Sequence, residues 1–134
     1  MDVELNTLLL DTHIVHWASA EPERLSSAAA RTIGNADQLA VASVTWYELA
    51  WLAINGRITP KQPVSSWLDE LACTLVTVPL SPAIAVVACS LSSLFSGDPA
   101  DRQIYATALD RGWPLVSKDS RIRDYGSEDV KVIW

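Results

Sequence analysis

The sequence predicts an α/β domain with a mainly parallel sheet and helices on both faces. Three observations carry this. Short apolar runs rich in Leu, Val and Ile alternate with stretches whose apolar residues recur at helical spacing, the pattern of strands covered by crossover helices. The connections between them are short, with no internal repeat, charge block or low-complexity tract. The chain has 134 residues, 49% of them hydrophobic, with five Gly and seven Pro. That composition excludes a disordered or collagen-like chain. One domain over residues 1–134 is expected, because ~100–150 residues is the commonest single-domain size.

Taken in order, Thr7–Leu10 is a short apolar run ending in Asp11 and reads as a buried strand. Ile14–Ala18 reads as helix. Pro22 opens a second helical stretch, since Leu25, Ala28, Ala29, Thr32 and Ile33 share a helical face, and Gly34-Asn35 ends it. Leu39–Val44 is the next strand, feeding a helix over Thr45–Asn55 that stops at Gly56. Arg57–Pro63 is a loop, and Ser65 or Ser66 caps a helix through Trp67, Leu68, Leu71 and Ala72. Leu75–Val78 is a short β-branched strand, after which Pro82 starts a small-residue helix running to Ser92. Asp98-Pro99 is an N-cap with Pro at the first helical position, leading to a helix that ends at Arg111-Gly112. Pro114–Ser117 and Val130–Ile133 complete the strands.

The charge balance is 10 basic against 16 acidic residues, a net −6. At first this argues against a nucleic-acid binder, because neutralising phosphates takes a basic footprint. Cys73 and Cys89 lie in apolar stretches without metal-ligand spacing and read as buried, reduced thiols. Asp2 and Glu4 stand where a secretory leader would be basic. The longest apolar run, Ala83–Cys89, falls far below the ~18–20 residues of a membrane span. A soluble, cytoplasmic protein is expected.

In parallel sheets, chemistry gathers in the crevice beyond the carboxyl ends of the strands. Asp11 ends the first strand and Asp119 follows Pro114–Ser117. Glu48 lies in the first turn of the helix after the second strand, and Asp98 and Asp101 open a later helix. On this fold the acids converge on one rim. Adjacent carboxylates repel and take up protons unless cations neutralise them. Oxygen ligands without Cys or His select hard cations such as Mg²⁺. Two such ions roughly 3.5–4 Å apart stabilise the attacking and leaving oxygens of a phosphodiester displacement.

Four segments in register resemble one family over nearly the whole chain. They are Leu8-Leu9-Leu10-Asp11-Thr12-His13 and Ser43-Val44-Thr45-Trp46-Tyr47-Glu48-Leu49, then Asp98-Pro99-Ala100-Asp101-Arg102-Gln103-Ile104-Tyr105-Ala106-Thr107-Ala108, and Pro114-Leu115-Val116-Ser117-Lys118-Asp119. Together they resemble the PIN-domain ribonucleases, and among these the VapC toxins of bacterial and archaeal toxin–antitoxin pairs. The resemblance implies a three-layer α/β/α sandwich around a central, mainly parallel sheet of about five strands. It implies a catalytic metal site of Asp11, Glu48, Asp101 and Asp119 taking Mg²⁺ or Mn²⁺, with Asp98 as a further acid of that site. It also implies cleavage of RNA by metal-activated water, a homodimer, and inhibition by a VapB-like antitoxin. Thr12 and Ser117 match small hydroxyl positions that support the ligands or contact phosphate. No acid of the pattern is missing.

Each residue also has an ordinary reading. Asp11, Asp98 and Asp101 suit helix starts, and Asp119 suits a turn. Glu48 carries the most independent weight, because its helix is otherwise apolar through Trp46, Tyr47, Leu49, Ala50, Trp51 and Leu52. His13 and His16 read as packing or surface groups, with His13 near substrate. Arg102, Lys118 and Arg121 are the basic residues nearest the site and the best placed to meet phosphate. Most of the six tryptophans read as core, although Trp17 and Trp51 could line a groove for an antitoxin helix. Two rival readings remain open: a receiver-like phosphoacceptor domain using Lys118, and a PIN-like binding module without catalysis. A receiver needs paired acids at the first strand, where Asp11 stands alone. The charge now reads differently, since the five candidate acids account for all but one unit of the −6.

Overall fold

The computed structural model describes residues 4–125 and 128–134; Asp2, which bore on the leader, lies outside them. Among these residues five strands form one sheet: β1 (Thr7–Leu10), β2 (Gln38–Ala42), β3 (Val76–Val78), β4 (Leu115–Val116) and β5 (Val132–Ile133). Their spatial order is β3-β2-β1-β4-β5, and every neighbouring pair is parallel. Among the described residues seven α-helices connect and flank them: α1 (Thr12–Ala20), α2 (Ser27–Gly34), α3 (Val44–Ile54), α4 (Val64–Ala72), α5 (Pro82–Ser90), α6 (Pro99–Arg111) and α7 (Ser120–Arg123). The expected α/β/α sandwich is borne out.

The central strand shows how the layers arise. Side chains alternate across a strand, so β1 sends Leu9 to one face and Leu8 and Leu10 to the other. Leu9 joins Ala40, Leu115, Ile104 and Tyr105 in one buried cluster beside α6. Leu8 and Leu10 join Val41, Val116, Ile14 and Leu49 in a second, beside α1 and α3. A strand buried on both faces must be apolar at every position, which is why Leu8-Leu9-Leu10 has no alternation.

Local signals set most boundaries. Asp98 caps α6 through the amides of Ala100 and Asp101, Pro99 occupies its first turn, and Gly112 ends it at φ 68°, a left-handed turn that a Cβ would strain. Asp11 caps α1 directly, so that helix begins two residues before the expected Ile14. Pro22 opens only a 3₁₀ turn, Pro22–Arg24; α2 starts at Ser27 because the Ser26 hydroxyl caps the Ala29 amide. Ser65 and Ser66 lie inside α4 and do not cap it. The turn α7, capped by Asp119, was not expected at all.

Two burial expectations are corrected. Cys73 and Cys89 are exposed free thiols, not buried ones. None of the six tryptophans is fully buried; Trp17, Trp46, Trp67 and Trp134 pack at the margin of the second cluster, and Trp51 is exposed. The apolar run of α3 is not a core helix on every side, since Tyr47, Trp51 and Ile54 face outward and only Thr45 and Leu49 are buried. Among the described residues no helix is long and apolar enough to cross a membrane.

Candidate active site

The strand order reverses between β1 and β4, since β2 and β3 add on one side of β1 and β4 and β5 on the other. Loops leaving such a switch point diverge and open a crevice at the carboxyl ends. Asp11 leaves β1 there and Asp119 follows β4. An open cleft of about 740 Å³ occupies the position, and Asp11, Glu48, Asp98, Asp101 and Asp119 all line it. The structure therefore brings together the five acids singled out from the sequence.

Hydroxyls hold most of them. Ser117 Oγ donates to Asp11 Oδ2 at 2.7 Å, and the Thr12 amide donates to Asp11 Oδ1 at 2.8 Å. Thr12 Oγ1 donates to Glu48 Oε1 at 2.6 Å and lies 3.1 Å from Thr45 Oγ1. With its one proton given to Glu48, Thr12 must accept from Thr45, so three buried or half-buried groups form a directed chain. Ser96 Oγ donates to Asp101 Oδ2 at 2.8 Å. Asp98 is held as the α6 cap, its Oδ1 accepting amides at 2.8 and 3.1 Å.

Burial dominates the electrostatics. Loss of solvent pushes the Asp11 carboxyl up from its ordinary value, against the Ser117 and Thr12 hydrogen bonds that favour its charge. Glu48 is raised by burial first, then by Asp11, Asp98 and Asp101, with Thr12 opposing. Asp101 is likewise raised by burial, with Asp98 and Asp11 adding repulsion and Ser96 opposing. Asp119 goes the other way, because Arg121 bonds its carboxylate directly. Three acids thus share a site that penalises their charge, and a multivalent cation would relieve that penalty. All donors are oxygens, which suits a hard divalent ion. Among the described residues no three His, Cys, Asp or Glu side chains are drawn together around one point, and the five acids are spread along the cleft lining.

The basic candidates separate. The Arg102 guanidinium is engaged with backbone: four hydrogen bonds run to the carbonyls of Ala88, Leu91, Ser92 and Ser96, a brace on the α5–α6 connection. Lys118 Nζ sits over the rings of Trp17 and Trp134, each 5.7 Å away, at the cleft wall. Arg121 lies among the acids. His13 lines the cleft and stacks on Trp17 at 5.9 Å, whereas His16 turns away and meets Glu21 at 3.0 Å. Tyr47 and Trp51, 71% and 47% exposed, form another aromatic part of the lining.

Thr45 and Ser96 were missed from the sequence. Thr45 stands three residues before Glu48 in α3, where a hydroxyl in an otherwise apolar run was the available signal. Ser96 had none, because its role depends on how the 91–98 connection folds back on α6.

A parallel sheet with an acidic cleft at its switch point, built from these four segments, defines a PIN domain. The sequence model of the PIN-domain family matches residues 8–128, and the chain belongs to that family. Within it the likeness is to VapC chains: "Ribonuclease VapC22" of Mycobacterium tuberculosis is 51% identical over 130 residues, covering 97% of this chain and all of that one. Among solved structures, VapBC2 from Rickettsia felis bound to a DNA fragment from its promoter aligns with a TM-score of 0.68 at 17% identity, covering 94% of this chain and 96% of that one. A toxin–antitoxin complex from Klebsiella pneumoniae aligns at 0.67 and 21% identity, covering 92% and 94%. At those identities the structural likeness speaks for the fold. The resemblance to VapC-type PIN domains read from the four segments is borne out.

Proposed function

We propose that the chain is a Mg²⁺- or Mn²⁺-dependent endoribonuclease, the toxin of a type II toxin–antitoxin pair. On this reading it works in the cytoplasm as a single PIN domain over residues 1–134, forms a homodimer and is restrained by a VapB-like antitoxin. One observation carries the reading: acids from segments remote in sequence line one cleft, and burial raises three of them. The ribonuclease name of a 51% identical relative supports the reaction, and the toxin–antitoxin complexes of the same fold support the partner.

Asp11, Glu48, Asp101 and Asp119 would hold the ion, with Asp98 at the rim of the set. When bound, the ion supplies Lewis acidity for in-line displacement at phosphorus. Thr12, Ser117 and Ser96 keep the carboxylates aimed into the cleft through hydrogen bonds of 2.6–2.8 Å. Lys118, resting on two indoles, presents a cation at the cleft wall for the RNA backbone. No side-chain nucleophile is required.

The test uses the purified chain, freed of any antitoxin, on a panel of transfer, ribosomal and messenger RNA. Cleavage is expected with Mg²⁺ or Mn²⁺, falling by about a hundredfold or more in chelator and returning on readdition. Full cleavage in chelator would sink the metal requirement. Rapid labelling by a small phosphodonor without any cleavage would favour the receiver-like reading. A second expectation concerns Thr12→Val, which keeps the shape and deletes the donor to Glu48. Loss of that bond lets the Glu48 pKa rise further, so the acid limb of the pH–rate profile moves to higher pH. The rate falls by roughly tenfold, as supporting-residue changes do. An unmoved profile would show that Thr12 is spectator packing.

A further inference from the structure

Arg121 stands apart from the other basic residues of the cleft. It follows Asp119 by two positions, yet its guanidinium folds back over the acids. Nη2 lies 2.8 Å from Asp119 Oδ2 and 3.2 Å from Asp101 Oδ2, and Nε lies 3.2 Å from Asp119 Oδ1. Asp119 caps α7 just beyond β4 and Asp101 lies in the first turn of α6, so the arginine ties together two elements whose acids would otherwise repel across the opening. Lys118 rests on indoles and Arg102 is committed to carbonyls. Among the described residues Arg121 is the one cation with ion pairs to two acids of the cleft.

Its side chain keeps 63% exposure, so the guanidinium reaches the acids from the open side of the cleft and can leave by the same route. A partly solvated pair of this kind is held weakly, because water screens it and a long side chain is immobilised to make it. A divalent ion carries twice the charge in a smaller volume and competes for the same carboxylate oxygens.

We propose that Arg121 is a resident counter-ion of the acidic cleft: with no ion bound it lies between Asp101 and Asp119, and it must swing out for a divalent cation to engage both acids. The proposal rests on the metal-site reading above. It makes the affinity for the ion a difference between two competing cations, one built into the chain. The cleft then loads only when divalent ion is plentiful enough to displace the arginine, and closes on itself when the ion is withdrawn.

The experiment is calorimetric titration of Mn²⁺ into the purified chain, with wild type, Arg121→Gln, Arg121→Lys and Lys118→Gln compared at one ionic strength. Arg121→Gln should bind Mn²⁺ roughly three- to tenfold more tightly, the size expected on removing an exposed but two-carboxylate ion pair. Arg121→Lys should stay closer to wild type than Arg121→Gln does. Lys118→Gln removes the same charge from a side chain that rests on indoles, and should change affinity by less than about twofold. Equal or weaker binding by Arg121→Gln overturns the proposal, as does equal tightening by Lys118→Gln, which would reduce the effect to long-range charge. Wild type that binds no Mn²⁺ overturns the metal-site reading itself, a result distinct from unaltered binding by the variant.

Discussion

Asp11→Asn should abolish RNA cleavage, by roughly a thousandfold or more, since changes one shell further out already cost ~10–100-fold. Asp11 is the acid most enclosed by the fold, bonded by Ser117 Oγ on one oxygen and the Thr12 amide on the other. An amide of the same shape keeps one carbonyl oxygen for the Thr12 amide and α1 keeps its cap, so the fold survives. What disappears is the negative charge. RNA-end sequencing after expression of wild type and variant measures the effect, and wild-type cleavage by the variant would remove Asp11 from the chemistry.

The same substitution should stabilise the protein in the absence of divalent ions. Burial raises the folded-state pKa of Asp11 above its ordinary 3.8, and Glu48 and Asp101 are raised likewise. For a raised acid, the stabilisation is fully present below the unfolded-state pKa and is lost as pH rises through the folded value. Above the unfolded-state value wild type gives this stabilisation up as pH rises, whereas an asparagine never titrates. The melting temperature of Asp11→Asn should therefore exceed that of wild type at neutral pH in chelator, with the gap narrowing as pH falls toward the unfolded-state value of 3.8. Asp119 runs oppositely, its stabilisation present above 3.8 and lost only as pH falls through its lowered value. Adding Mn²⁺ should reverse the order, because only wild type gains from tight binding to the native state. A variant less stable than wild type in chelator at neutral pH would contradict this account.

Arg102→Ala should lower stability by about 2–3 kcal/mol, since it strips donors from four backbone carbonyls, three of them in the connection between α5 and α6. For a domain of this size that is a fall in melting temperature of roughly 6–12 °C. Arg102→Lys should recover only part of it, because one ammonium cannot reproduce a planar fork reaching four acceptors. Cleavage should fall less than in Asp11→Asn, through loosening of Ser96 and hence of Asp101. A melting temperature within about 2 °C of wild type would show the brace to be dispensable.

The contrast between Arg102 and Arg121 marks where reading a sequence stops. Strands and long helices were legible because their signals are local: an unbroken Leu8-Leu9-Leu10 run for a strand covered on both faces, and Asp98-Pro99 and Gly112 for the ends of α6. The acids were legible because residues at strand ends and helix starts of a parallel sheet share one rim, whatever the side-chain detail. The direction of a long flexible side chain is not local. Arg102 and Arg121 follow site acids by one and two positions, yet one turns toward backbone carbonyls and the other toward carboxylates. The burial of tryptophans and cysteines failed for a related reason. Apolarity says that a residue can be buried, but which face of α3 or α4 meets the sheet is decided by packing.

The bond from Ser117 to Asp11 joins positions 106 apart. In chain order β1 comes first among the described strands and its central neighbour β4 only after most of the described residues, so the sheet is complete only when the two pair. Until then β1 is an edge strand, and the cleft lacks one wall together with Asp119, Lys118 and Arg121. Long-range parallel pairing of this kind is also slow to form. The cleft is therefore only as intact as the β1–β4 pairing, and local loss of β4 takes Asp119, Lys118 and Arg121 out of it together.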